Sequence, residues 1–372
     1  MIPETLAAKI RNGERLTHEE GLALLRDGEL LELGGLADEV RRRRHPDGVV
    51  TYVIDRNINY TNVCKAQCAF CAFYRDLPSP EGYLLSKEEL AAKIEETMAL
   101  GGRQILLQGG LHPDLGIEYY EGLCHWIKDH YPIWIHGLSP TEVNHICEVS
   151  GLSIEEAVRR LMAAGLDSIP GGGAEILSDR VRRAIGYAKG SSQDWLDVME
   201  VAHGLGMKTT ATMMFGHVET LEERIEHLGR LRDLQDRTSG FTAFIGWTFQ
   251  PENTAIAVPE LTSFQYLRML SVARLFLDNF PSVQASWVTQ GPKIGQVSLR
   301  FGANDFGSLM IEENVVSAAG AGHCMTEDEI ARCIQEAGFV PKRRTMLYEI
   351  VGDPYCWSRT PSPAPPAASL AG

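Results

Sequence analysis

No apolar run in this chain approaches the roughly 18 residues of a membrane-spanning helix, so no such span is expected. The opening stretch, MIPETLAAKIRNGERL, has no long apolar segment of the secretory kind, and a cytoplasmic setting is the expectation. Basic residues are in deficit: 35 Lys and Arg stand against 49 Asp and Glu, for a formal charge of -14. That balance argues against a surface built to track nucleic-acid phosphates. The one basic run, Arg41-Arg42-Arg43-Arg44, follows Asp38-Glu39 and reads as a solvated helix end. Cysteine is sparse as well: eight in 372 residues do not make a disulfide framework. Their spread is uneven. Cys64, Cys68 and Cys71 lie together, while Cys124, Cys147, Cys324, Cys333 and Cys356 are scattered, which points to reduced thiols and one local metal site.

What the sequence does contain is a repeated alternation. Residues 1–50 read as a helical cap, with a capping box at Thr17 to Glu20, leucine-rich surface after it, and an interruption at Gly34-Gly35. This segment is too small to bury its own helices and should pack against the larger domain C-terminal to it. From about residue 51, strand-like runs alternate with amphipathic helices: VVTYVIDRNINY, RQILLQGG, IWIHGLS, LDSIPGGGAE, MKTTATMMFG, FTAFIGWTFQ and VQASWVTQG, with QVSLRFGAND as an eighth candidate. Ser86, Ser153, Thr220 and Thr326 each precede a glutamate by three residues and mark helix starts. Such alternation specifies parallel strands with crossover helices, and the number of units favours a β/α barrel, irregular or incomplete, over residues 51–325. Residues 326–350 read as a small C-terminal appendage, and the proline-rich 351–372 as a mobile tail. Polar and glycine residues gather at the strand ends, which a barrel places on its C-terminal, active-site face.

The chemistry-bearing segment is NYTNVCKAQCAFCAF, with Cys64, Cys68 and Cys71 spaced C-x3-C-x2-C. Thiolates suit zinc or iron–sulfur centres. A structural zinc would need a fourth ligand, a place His112 could fill, and would make the chain a zinc-binding scaffold without turnover. Three thiolates on one loop can instead hold three irons of a [4Fe–4S] cluster and leave the fourth iron open. The spacing resembles the radical S-adenosylmethionine superfamily. DRNINYTNVCKAQCAFCAFYR, LLQGGLHPDLGIEYYE, LDSIPGGGAEIL, FTAFIGWTFQPENT and ASWVTQGPKIGQ resemble its menaquinone- and deazaflavin-pathway branch, and within it the dehypoxanthine futalosine cyclases. The likeness runs from about residue 10 to residue 350.

That resemblance implies an enzyme with a [4Fe–4S] cluster and S-adenosyl-L-methionine as cofactors. It implies dehypoxanthine futalosine as the small-molecule substrate and an external one-electron donor such as flavodoxin or ferredoxin. The neighbouring activities are aminofutalosine synthase and deazaflavin-pathway radical enzymes. No feature singles out an obligate protein partner or an oligomeric state.

Residue by residue, Gly109, Gly110, Ser139 and Glu175 are the expected cofactor contacts. The glycines let the backbone come close, or form tight turns only. His136, Glu252 and Asp305 are the expected catalytic groups, His136 as a relay for the proton lost on rearomatisation or as a histidine satisfied by backbone. His112, Gln250, Asn253, Thr289 and Asn304 are the expected substrate contacts. Lys293 or Arg300 could neutralise a benzoate, against a default of solvated cations. Trp247 and Trp287 read as core packing or as an aromatic wall.

Overall fold

The computed structural model describes residues 1–186, 189–320 and 322–352. The tail expected over 351–372 lies, from residue 353 on, outside the described residues. Among the described residues ten strands form: β1 (Val49–Val53), β2 (Asn57–Asn59), β3 (Gln104–Gln108), β4 (Trp134–Gly137), β5 (Ser168–Ile169), β6 (Lys208–Phe215), β7 (Phe241–Thr248), β8 (Ser282–Gln284), β9 (Asp305–Ser308) and β10 (Val340–Arg343). They make one sheet in the order β10-β1-β9-β8-β7-β6-β5-β4-β3-β2. Every neighbouring pair is parallel.

Chain connectivity curls this sheet. β1 and β2 lie near opposite ends of the order, yet only Ile54, Asp55 and Arg56 separate them. Four Cα steps reach at most about 14 Å, so the sheet's ends must approach each other. Asp55 ties the seam: its carboxylate accepts from Gln104 Nε2 of β3 at 3.0 Å and from Ser308 Oγ of β9. Backbone bonds repeat the tie, Leu309 N to Val53 O at 3.1 Å and Leu106 N to Arg56 O at 2.8 Å. The run VVTYVIDRNINY is therefore one bent segment that supplies the edge strand β2 and the next-to-edge strand β1 of a partial β/α barrel.

Helices return the chain between strands. Capping boxes form at Thr17, Ser86, Thr220 and Thr326, as their sequence pattern predicts, and Ser153 caps through Glu156 N. The helices His18–Asp27 and Leu30–Arg44 pack on the helix Ser263–Phe276, where the His18 ring lies 5.5 Å from that of Phe276, and Glu4–Arg11 packs on Leu30–Arg44. Two expectations are corrected here. The helix Leu30–Arg44 runs through Gly34-Gly35, because Gly34 faces Phe301 so closely that a Cβ would lie 2.6 Å from its ring. Arg41 is buried, with Nε 2.9 Å from Asp38 and its guanidinium 4.4 Å from the Phe339 ring centroid, so the basic run is not a wholly solvated end.

Near the C-terminus, the expected strand VQASWVTQG yields only β8. Trp287 and Thr289 instead open the helix Trp287–Ser298, which bends where Gly291 takes φ 78° before Pro292. After the helix Glu327–Glu336, β10 joins the sheet beside β1. No helix among the described residues is long and apolar enough to cross a membrane.

A cysteine-lined candidate active site

The loop after β2 carries the three cysteines over the C-terminal rim. Its backbone is pinned on several sides: Cys64 N donates to Arg75 O at 3.0 Å, Lys65 N to Leu111 O at 3.0 Å, and Ala69 N to Ile185 O at 2.8 Å. Gly110 sits directly beneath, and a Cβ there would fall 2.2 Å from Val63 O. Ala66, Cys68 and Leu111 pack together with Phe70 against them.

Cys64, Cys68 and Cys71 all line one cavity of about 310 Å³, and all three are free thiols. Burial pushes the Cys68 thiol up to about 11 and raises Cys71 as well, so metal binding here would displace protons. Among the described residues, no three His, Cys, Asp or Glu side chains converge on one ion-sized point. His112 does not complete a zinc set; its Nδ1 accepts from Asp114 N at 3.2 Å and it lies off the cavity wall. A three-thiol, semi-enclosed loop fits the corners of an iron–sulfur cube, whose sulfur ligands are spread more widely than those of a single ion.

The other expected cofactor contacts share this cavity. Gly109, Gly110, Ser139 and Glu175 all line it. Gly109 and Ser139 are organised by Glu142, a residue absent from the expected set although Ser139-x-x-Glu142 has the capping-box pattern. The Glu142 carboxylate accepts from Gly109 N at 3.0 Å, Tyr60 OH at 2.8 Å, and Ser139 N and Oγ at 2.7 Å each. Burial raises its pKa, and these donors oppose the rise. Glu175 holds a left-handed backbone, φ 42°, and its Oε1 lies 2.6 Å from Lys189 Nζ. Lys189 also sits 4.7 Å from the Phe70 ring centroid. No sequence motif marks Lys189.

A second chamber of about 240 Å³ lies deeper in the barrel. Asn57, Gln108, Trp247, Thr289 and Glu313 line both spaces, so the two adjoin. His136, Trp287, Arg344 and Tyr348 line the inner one. His136 is buried with Nδ1 2.7 Å from Ser168 Oγ; burial, with Arg344 nearby, lowers its pKa to about 3 and keeps it neutral. Thr289 Oγ1 lies 3.0 Å from Ser286 Oγ, and Gln250 Nε2 reaches Thr248 Oγ1 at 3.1 Å on the outer wall. Both tryptophans thus border the cavities, and Trp287 also stacks on Phe306 at 6.5 Å.

Five expected site residues do not join them, and His112, expected as a substrate contact, is the first. Glu252 and Asn253 are exposed, and Asn253 Nδ2 donates to Ala318 O at 3.1 Å. Asn304 lies behind the wall, where its Oδ1 accepts from Arg274 and from Val283 N at 2.9 Å. Asp305 is committed to Arg344 at 2.5 and 2.9 Å, to Thr51 Oγ1 at 2.5 Å and to Gly307 N at 3.0 Å. The polar side chains of Asn304 and Asp305 are spent on structure. Lys293 and Arg300 are likewise exposed and away from both chambers.

Comparisons with known proteins agree with this geometry. Residues 58–231 match the radical SAM superfamily model, and residues 238–356 match the CofH/MqnC C-terminal region. A cyclic dehypoxanthine futalosine synthase of Halalkalibacterium halodurans is 49% identical over 91% of this chain and 92% of its own length. One from Streptomyces coelicolor is 51% identical over 91% and 86%. An aminodeoxyfutalosine synthase of Thermus thermophilus is 40% identical over 93% of this chain and 95% of its own length. The solved methylornithine synthase shares the fold at 19% identity, TM-score 0.68, over 91% of this chain and 97% of that one. With these relatives and three rim cysteines, the chain belongs to the radical S-adenosylmethionine enzymes, in the branch of the cyclic dehypoxanthine futalosine synthases.

Proposed function

We propose that this enzyme cyclises dehypoxanthine futalosine to cyclic dehypoxanthinyl futalosine on the futalosine route to menaquinone. The observation that carries the proposal is the adjoining of two chambers, one lined by the three cysteines and one walled by Trp247 and Trp287. The names of the relatives at 49% and 51% identity support the same substrate.

A [4Fe–4S] cluster on Cys64, Cys68 and Cys71, with S-adenosylmethionine and an electron from a flavodoxin- or ferredoxin-like donor, would supply a 5′-deoxyadenosyl radical to take the ribose C4′ hydrogen. The substrate carbon radical then adds to its own benzoate ring. One electron passing to the oxidised flavodoxin- or ferredoxin-like carrier and one proton passing to a base restore aromaticity, leaving a product two hydrogens lighter than the substrate.

The chain's residues hold this chemistry in place. Gly109, Gly110, Ser139 and Glu175 border the cofactor, with Glu142 fixing Gly109 and Ser139. Phe70, Phe73 and Trp247 keep water from the reacting atoms. Gln250 and Thr289 offer polar contacts to the substrate sugar. His136 is neutral and engaged through Nδ1, and in the tautomer whose Nδ1–H donates to Ser168 Oγ its Nε2 is the proton acceptor of this reading.

The test is an anaerobic reaction of reconstituted protein with reductant, S-adenosylmethionine and dehypoxanthine futalosine, read by mass spectrometry. A product two hydrogens lighter than the substrate is expected. Formation of 5′-deoxyadenosine without that product, with turnover of an enolpyruvyl-containing substrate instead, would assign the aminofutalosine reaction.

A further inference from the structure

The inner chamber needs a group that recognises an aryl acid, and the cations expected from sequence are not there. Arg344 is. The chain turns after β10, with Arg344 bridging to Ile350, and so brings Arg344, Met346 and Tyr348 to the chamber wall. The Arg344 side chain is 2% exposed.

Its orientation is fixed from three sides. Nε and Nη2 donate to Asp305 at 2.5 and 2.9 Å, and Nη1 donates to Thr345 O at 3.2 Å. The Tyr348 ring centroid lies 4.0 Å from the guanidinium carbon. A guanidinium has five N–H groups, so one hydrogen on each terminal nitrogen is left over. The two acids on the chamber wall, Asp55 and Glu313, are both pushed towards their uncharged forms by burial, and the guanidinium pairs with Asp305 behind it. The Gln284 amide stands beside them over Gly307, where a Cβ would lie 2.7 Å from its Nε2.

We infer that the floor of the inner chamber is a carboxylate-recognition site, with the Arg344 guanidinium as its anchor and Trp247 and Trp287 flanking the attached ring. The inference rests on the proposed radical cyclisation and adds an orientation to it. The aryl acid enters first and lies deep, and the ribose stays at the boundary with the cysteine-lined cavity. Asp305 acts as a positioning residue, since it holds the fork that a planar carboxylate matches.

The experiment compares dehypoxanthine futalosine with its benzamide analogue, which has the same shape without the anionic charge. Binding to cluster-loaded, S-adenosylmethionine-bound enzyme is measured by anaerobic calorimetry. Wild-type enzyme should favour the acid by about 10- to 100-fold, the range of a charge-assisted hydrogen bond. Arg344→Gln should bring that ratio to within about threefold. Because Arg344→Gln leaves Asp305 buried and unpaired, the double variant Asp305→Asn/Arg344→Gln repeats the test without that charge and should also lose the ratio.

Equal binding of acid and amide by wild-type enzyme that turns both over would overturn the carboxylate site and leave the cyclase reading standing. A ratio that survives in both variants would do the same. Failure of wild-type enzyme to bind either compound would overturn both readings together.

Discussion

Lys189 and Glu175 form a buried ion pair, Nζ to Oε1 2.6 Å, in the wall of the cysteine-lined cavity. Both side chains are under one-tenth exposed, so removing one partner strands the other in a low-dielectric wall. Lys189→Met should cost about 3–5 kcal/mol of stability, the range for a broken buried pair. Lys189→Met/Glu175→Gln should recover much of that loss in thermal melts. Calorimetry should still find weakened S-adenosylmethionine binding, because Glu175 also borders the proposed cofactor position. Full recovery of both would make the pair purely structural.

Gly110 makes a sharper prediction about the loop. An Ala Cβ there would meet Val63 O at 2.2 Å, and backbone cannot swing aside as a flexible side chain can. Gly110→Ala should therefore displace the cysteine loop and lower iron and sulfide content after anaerobic reconstitution. Gly35→Ala is the control: nothing lies within 4 Å of its Cβ, and it sits inside a helix. Gly35→Ala should leave cluster content unchanged and raise stability by up to about 1 kcal/mol. Equal iron content in the two variants would contradict the packing argument.

Acid should destabilise the fold through its buried histidines. Burial lowers His203 to about 4, and His136 and His227 to about 3. Each folded value lies below the unfolded value, so the unfolded chain takes up protons first as pH falls. The stability these groups contribute is complete above about pH 6.5 and is lost as pH falls towards their folded values. His227 accepts from Leu177 N through Nδ1 at 2.9 Å and is remote from the cysteine loop in the chain. His227→Asn should lower stability at neutral pH yet make the decline between about pH 6 and 5 shallower by about 1 kcal/mol per pH unit. Parallel pH curves from denaturant titrations would contradict this.

The metal reading has its own test. Reconstituted protein should hold about four irons and four sulfides per chain, the content of one [4Fe–4S] cluster. Cys64→Ala, Cys68→Ala and Cys71→Ala should each abolish reductive cleavage of S-adenosylmethionine. Stoichiometric zinc without sulfide would return the chain to a metal-binding scaffold.

The cysteine spacing and helix starts were legible in the sequence because both depend on neighbours a few residues apart. The capping boxes at Thr17, Ser86, Thr220 and Thr326 and the alternation of strands with helices come from the same short-range logic. The split of VVTYVIDRNINY into β1 and β2 was not legible, since it arises from sheet closure through Asp55. Nor were Lys189, Arg344 and Glu313, which reach the chambers from distant segments and carry no local motif. Asp305 misled because an acid in a glycine-rich turn looks available, whereas its partner Arg344 is 39 residues away. Trp287 borders the inner chamber from a helix and not from the strand its surroundings suggest, as β8 ends early and the helix begins.

Radical cyclisation is tested most directly with dehypoxanthine futalosine deuterated at the ribose C4′, in an anaerobic single-turnover reaction. Deuterium should appear in 5′-deoxyadenosine in step with formation of the cyclised product. Cyclised product formed while all deuterium stays off 5′-deoxyadenosine would contradict the proposed hydrogen abstraction.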